Sequence, residues 1–395
     1  MDTTRDVSPV TTAAAGALGL AAAVGIGRFA FTPLMPLMAA QSGLTLAQGG
    51  VLAAANYAGY LAGALWCLFA HPAPGRAARI GLAGVALFTL AMGMTSQFAS
   101  WFALRALAGF ASALVLVGIS GWTLQGLARA DRGHWSGWVF AGVGVGIAFA
   151  GIATLVIGVL GVSAAAGWLV LGAVVAAVTA STWRPLATPE AGTLTPAPAN
   201  DRTRFDADAW RLVACYGVAG FGYIIPATFL PALARQLVAD PAVFGWTWPA
   251  FGAAAAASTV AAALLLRHAA PRRVWAASQA LMAAGVFAPA LASSLGVLLA
   301  AALGIGGTFM VVTMAGMQEA RRIARNGAAR LIAAMTAAFA VGQLLGPLAV
   351  SLLASDGNAL RASSITAAAL LLASAGFLVA PRRCREAPVR IGDST

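Results

Sequence analysis

The chain has 395 residues, of which 60% are hydrophobic and only 9% charged, and its formal net charge is +12. A soluble domain carries roughly 25% charged residues, so this composition excludes a globule with a polar coat and calls for a bilayer as solvent. All of the basic residues counted in that charge are arginines; they fall in short runs between apolar segments, not on an aromatic-interleaved basic face, which argues against nucleic acid as a partner.

About 20 apolar residues span a hydrocarbon core. The chain divides into twelve such segments: 12–39, 46–69, 80–96, 99–123, 135–160, 164–183, 212–232, 244–266, 274–291, 295–317, 330–354 and 362–380. The connections TSQFAS, GVSAAAG and ASSLG are so short that the segments they join must run antiparallel.

The first segment holds GIGRFAFTPLMPLM, with Arg28 in its middle and Pro33 and Pro36 after it. A guanidinium in hydrocarbon costs about 3 kcal/mol or more. Three readings account for it. Arg28 anchors an anion, or it satisfies the carbonyls of Phe29 and Thr32, which the two prolines leave short of partners, or it snorkels toward the outer interface. In the second segment Asn56 and Tyr60 share a face with Gly63, as a pathway lining or as interhelical hydrogen bonds beside a close approach. Arg76 and Arg79 follow in HPAPGRAAR, and Arg105 lies within the fourth segment, read first as a structural or gating residue and second as a substrate contact.

After the sixth segment, Trp183 to Arg211 is rich in proline, small residues and mixed charge, a linker with little capacity for a core. It separates an N-terminal bundle, 1–183, from a C-terminal bundle and tail, 212–395, with 184–211 between. Tyr223 lies in the seventh segment, and Trp246 and Trp248 open the eighth, where an interfacial aromatic belt is expected. In the eleventh, GQLLGP offers Gln343 as a two-way hydrogen bonder, Gly342 and Gly346 for close packing, and Pro347 for a bend. Cys67, Cys215 and Cys384 form no CxxC pair, so neither a disulfide framework nor a metal site is indicated, and no cofactor is expected.

Arginine placement sets the expected orientation. Arg235 and Arg361 lie in one set of alternating loops, Arg28 and Arg105 within segments, and every other arginine in the opposite set. By the positive-inside rule both termini and the linker are cytoplasmic.

The two halves also resemble each other. Shifted by 195 residues, GIGRFAFTPLMPLMAAQ lies over GFGYIIPATFLPALARQ, matching Gly25 with Gly220, Gly27 with Gly222, Pro36 with Pro231 and Gln41 with Gln236. The same shift pairs Gly109 with Gly304, and a shift of 197 lays HPAPGR over HAAPRR. Tyr223 then occupies the repeat position of Arg28. Parallel six-helix repeats with substrate held between them are a transporter architecture.

GIGRFAFTPLMPLM, NYAGYLAGAL, GFGYIIPATFLPALAR, TFMVVTMAGMQEAR and MTAAFAVGQLLGP together resemble the major facilitator superfamily, and within it the bacterial YbfB/YjiJ-type branch. The resemblance covers essentially the whole chain. It implies an all-α integral membrane protein with twelve transmembrane helices in two pseudo-symmetric six-helix bundles, set in the bacterial inner membrane; it implies no substrate. Arg76 and Arg79, with Gly75, match the superfamily's gating loop but lack its aspartate, and the fifth segment has glycines without the proline of the antiporter motif.

Every acidic residue can be placed outside the segment centres, with Glu319 at the end of the tenth. A core with fixed positive charge and no fixed negative charge suits an anion, which arginine holds bidentately. The expectation is a monomeric secondary transporter of a small organic anion or acid-bearing amphiphile, not an enzyme. Arg28, Asn56, Tyr60, Arg105, Tyr223 and Gln343 would face substrate, and Arg76, Arg79, Gly342, Gly346 and Pro347 would serve gating. The alternative is proton-driven efflux of hydrophobic drugs, weakened by the missing acid.

Overall fold

The computed structural model describes residues 8–187, 205–292, 294–324, 328–352 and 359–380, and among them every regular element is helical. The central part of the linker and both chain ends lie outside the described residues. Among the described residues twelve helices are long and apolar enough to cross a membrane: α1 (Pro9–Ser42), α2 (Leu46–Ala70), α3 (Pro74–Met92), α4 (Phe98–Arg129), α5 (Gly133–Val159), α6 (Ala164–Thr182), α7 (Ala207–Leu237), α8 (Pro241–Leu265), α9 (Pro271–Leu291), α10 (Leu295–Ala324), α11 (Arg330–Leu352) and α12 (Leu360–Val379).

Several helices extend beyond their apolar segments, because charge ends a hydropathy run but not a helix. Pro74 starts α3 early, with its fixed φ pre-organised for a first turn, so Arg76 and Arg79 ride on the helix and not in a loop. Asp206 caps α7 by accepting from the Ala209 amide at 2.7 Å, and Asp208 follows in the first turn. Arg321 and Arg322 occupy the last turn of α10, where cations complement the helix dipole.

The packing repeats between the halves. In the first, α2 and α3 pack on α4, α3 on α6, and α1 on α5; in the second, α8 and α9 pack on α10, α9 on α12, and α7 on α11. The halves meet through α5 with α8 and α2 with α11, two contacts related by the repeat, and through α1 with α7, which are each other's repeat partners. Small residues set the closest approaches. A Cβ at Gly109 on α4 would collide with the Asn56 carbonyl on α2, the small-residue device for bringing helix backbones together in lipid.

Helix α1 is not regular. Pro9–Leu20 is α-helical, Ala21–Ile26 is a π-turn in which the Gly27 amide reaches back to the Ala22 carbonyl at 2.9 Å, residues 27–30 form turns, and the α-helix resumes at Phe31–Ser42. Its repeat partner α7 runs unbroken through Pro226 and Pro231.

The two ends of the bundle differ. At the arginine-poor end, where α1 and α7 finish, bonds cross between the halves: Thr32 Oγ1 donates to the Ala227 carbonyl at 3.0 Å, Ser351 Oγ to the Ala47 carbonyl at 3.1 Å, and Arg235 to the Pro36 carbonyl. At the arginine-rich end, Arg272 on α9 grips Asp208 on α7 with both terminal nitrogens, at 2.9 and 2.7 Å, and donates through Nε to Glu319 on α10 at 2.8 Å. Arg322 completes this cluster with two bonds to Glu319 at 2.8 Å. All four residues belong to the second half.

Candidate functional site

The break in α1 needs a partner for its carbonyls. The Thr32 amide turns back to the Phe29 carbonyl at 3.2 Å, leaving the Arg28 carbonyl without its ordinary i+4 donor. Arg105 on α4 fills the gap: NH2 donates to the Arg28 carbonyl at 3.1 Å and NH1 to the Gly27 carbonyl at 3.3 Å, with the guanidinium over the Phe31 ring at 4.8 Å. Asn56 on α2 donates to the carbonyl of Arg105 itself at 2.9 Å. Arg105 thus holds the broken helix in place, and Asn56 ties α2 to α4 at the residue that does so; both donate to backbone.

Arg28 is free to point elsewhere, because Arg105 carries the backbone role. Its side chain is only 5% exposed, and NH2 crosses between the halves to donate to Gln343 Oε1 on α11 at 2.9 Å. Gln343 Nε2 in turn donates to the Tyr223 hydroxyl on α7. The guanidinium lies over the Tyr60 ring at 4.0 Å, with Tyr57 at 5.4 Å and Phe29 at 5.5 Å. Its Nε is buried without a hydrogen-bond partner. Among the described residues, the ion pairs given for carboxylates involve Asp208 and Glu319 at the arginine-rich end, and neither arginine of the core takes part. Glu319 is fully buried but is held by Arg272 and Arg322 and does not reach Arg28.

Four of the six residues expected to face substrate, Arg28, Tyr60, Tyr223 and Gln343, therefore meet in one cluster built from both halves. Asn56 and Arg105 sit beside it as support. Of the residues expected to serve gating, Gly342 lets α11 press on α7, where a Cβ would collide with the Gly217 carbonyl, and Gly346 meets Ile224 of the same helix. The Pro347 carbonyl accepts from Ser351 Oγ at 2.8 Å, next to the bond from Ser351 to α2. Arg76 is exposed, and Arg79 lies over Trp183 at 5.3 Å at the arginine-rich end, far from the cluster in sequence and within the first half.

The sequence reading missed a row of rings. Tyr223 stacks between Phe309 of α10, at 5.3 Å between centroids and 4° between planes, and Phe339 of α11, at 5.5 Å and 17°. The row continues from Phe339 to Tyr216 at 4.7 Å, and from Phe309 through Phe251 at 5.5 Å to Trp248 at 4.8 Å. Trp248 was expected in an interfacial belt and is instead fully buried, whereas Trp246 is 54% exposed. Two residues on a helix are rotated by about 200°, so the pair faces opposite ways, and only Trp246 has a position that suits a belt.

A family model described as an uncharacterised MFS-type transporter, YbfB, matches residues 20–379 of the chain. No curated protein matches it.

Proposed function

The chain belongs to this family of MFS-type transporters, a multi-pass membrane protein, and from that premise we propose that it moves a small organic anion, or an amphiphile bearing an acid group, by alternating access. The observation that carries this reading is the bond between Arg28 and Gln343. A dehydrated guanidinium is matched across the halves by a neutral amide oxygen, with no carboxylate among the described residues to balance its charge. Removing such a charge from water costs several kcal/mol when it stays unpaired. An arriving carboxylate would supply the missing charge and take two in-plane N–H bonds, with Gln343 Oε1 standing where one of its oxygens would bind.

On this reading the first half carries the anchor and the second half carries the sensor, because Gln343 reports to Tyr223. Arg105 acts as a support for α1, Asn56 ties α2 to α4, and neither serves as a contact to substrate. The 1–183 and 212–395 bundles rock about the cluster. The arginine-rich end faces the cytoplasm of a bacterial inner membrane, so the bonds from Thr32, Ser351 and Arg235 close the outward side. Transport is driven by a gradient and needs no cofactor, and the protein works as a monomer. The row of aromatic rings favours a second reading, efflux of hydrophobic drugs driven by protons, for which the cluster offers no carboxylate to carry the proton.

Flux in proteoliposomes tests the proposal. A panel of labelled organic anions is offered against imposed gradients, with Arg28→Gln protein as the comparison. Uptake of an anion by the native protein and its loss in Arg28→Gln supports the reading. Uptake of neutral or cationic drugs alone, unchanged in Arg28→Gln, overturns it in favour of the second.

A further inference from the structure

The seam between the halves is not evenly filled. Along α5 and α8 the backbones press together: a Cβ at Gly151 would lie 2.7 Å from Pro249, and one at Gly158 3.0 Å from Pro241. Beside these contacts a narrow recess of about 310 Å³ remains, walled by Pro33 of α1, Thr154 and Leu155 of α5, Pro231 of α7, and Phe244 and Trp248 of α8. Protein interiors rarely leave voids larger than a water molecule. This one lies at the arginine-poor end, draws its walls from both halves, and is lined by uncharged residues throughout.

Two polar groups in these walls go unused. Trp248 is fully buried and Thr154 is 6% exposed, and neither Trp248 Nε1 nor Thr154 Oγ1 has a hydrogen-bond partner. A buried indole N–H ordinarily finds one, and elsewhere in this chain it does: Trp101 donates to the carbonyls of Met92 and Thr95, Trp168 to the sulfur of Met38, and Trp275 to Gln279. Buried threonines can likewise turn the hydroxyl back to the carbonyl four residues earlier, as Thr179, Thr228, Thr259 and Thr308 do. Ala150 offers Thr154 that carbonyl, and Thr154 does not take it. An apolar recess with a few convergent polar groups is the usual form of a ligand site, and leaving both groups unpaired is costly away from water.

The edge of the recess lies beside the lipid. Val145, Phe149, Ile152, Val156 and Val159 form an exposed stripe along α5 at helical spacing, and Leu155 and Gly158, partly exposed where they line the recess, adjoin it. An occupant therefore arrives dissolved in the bilayer. It is slender, to suit the narrow space, and neutral, because nothing in the walls balances a charge. It also carries an oxygen to accept from the unused donors. We propose that the recess is a second ligand site, separate from the Arg28 cluster, that takes a membrane-dissolved alkanol, ketone or ester by its oxygen on Trp248 Nε1 and Thr154 Oγ1. Because the walls come from both halves, parting them at this end dismantles the site. The assignment does not depend on which cargo the cluster carries.

The test is photolabelling of the full-length protein in lipid nanodiscs with azioctanol, an alkanol bearing a diazirine, mapped by mass spectrometry. Hexanol and hexane compete at equal concentration in the bilayer. Labels are expected on Leu155 and Phe244, and hexanol is expected to protect them about three- to tenfold more effectively than hexane, the factor that one hydrogen bond supplies. Trp248→Phe and Thr154→Val each remove one donor and keep most of the shape, and each is expected to reduce that preference; either variant suffices if the other does not fold. Labelling is expected to be unchanged in Arg28→Gln, since the recess is lined by uncharged residues. Labels confined to lipid-facing positions such as Val156 and Trp246, equal protection by the two competitors, or a preference that survives in both variants overturns the site. Loss of the recess labels in Arg28→Gln places the alkanol at the cluster and overturns it as well.

Discussion

Thr32 and Ala227 are hydrogen-bonded to each other, and they are 195 residues apart, the offset that superimposes the two halves of the sequence. Each is therefore the repeat counterpart of the other, and the bond lies where α1 and α7 cross. The acceptor is the carbonyl that would serve residue 231 in a regular helix, and residue 231 is a proline with no N–H to give. Thr32 supplies from one half what Pro231 withholds in the other.

Thr32→Val keeps the shape of the side chain and removes the donor. The Ala227 carbonyl then loses its partner only while the arginine-poor end is closed, at a cost of about 1 kcal/mol. Spin labels at Ser42→Cys and Leu237→Cys should report a broader and longer distance distribution than in the native protein. An unchanged distribution would remove this bond from the list of closing contacts.

Arg28→Lys retains the charge and loses the fork. Charge-assisted hydrogen bonds contribute about 1.5–3 kcal/mol each, so anion affinity should fall roughly ten- to a hundredfold, and Arg28→Gln should fall further. Thermal stability should not fall in either variant, because the carbonyls of α1 are served by Arg105 and not by Arg28, and in Arg28→Gln it should rise as the uncompensated charge is removed. A large loss of stability with normal affinity would return Arg28 to a structural role.

Gln343→Glu places a built-in carboxylate on the anchor. The expected result is a rise in thermal stability together with loss of anion binding, since the internal acid competes with every external one. Full transport activity in Gln343→Glu would show that Gln343 Oε1 does not mark a substrate oxygen.

Two glycine substitutions separate packing from site effects. Gly109→Ala drives a Cβ into the Asn56 carbonyl, whereas at Gly307 nothing lies within 4 Å of the added atom. Gly109→Ala should destabilise by about 1–3 kcal/mol, and Gly307→Ala should stay within about 0.5 kcal/mol of the native protein, both measured by thermal unfolding in one detergent. Equal effects would remove Gly109 as the determinant of the α2–α4 approach.

How much of this was legible in the sequence depends on the kind of signal. Twelve apolar runs and their arginine punctuation were readable because lipid imposes both. The meeting of Arg28 with Tyr223 was readable because the repeat puts them at one position, and Gln343 because a lone amide stands out among apolar residues. The division of labour between the two arginines was legible only in outline, with Arg105 read as the more structural of the two. Arg28 and Arg105 are the same residue type in equally oily segments, and only the π-turn in α1 decides which one serves backbone. The ring stack was hidden for a related reason: Phe251, Phe309 and Phe339 are ordinary core residues until the planes of their rings are known. The burial of Trp248 is hidden in the sequence because its place near a helix start suggests an interface, and only its rotation about the axis turns it inward.

The unequal geometry of α1 and α7 has a consequence for the site. Parallel repeats related by an axis along the membrane normal keep the same end uppermost when they are exchanged, so a difference between α1 and α7 is a difference between the two sides of one and the same state. Here the π-turn at Ala21–Ile26, stapled by Arg105, has no counterpart in unbroken α7. The two halves therefore meet the cluster with unequal backbones: the first bends at a turn held by one arginine side chain, and the second passes its repeat position as continuous helix.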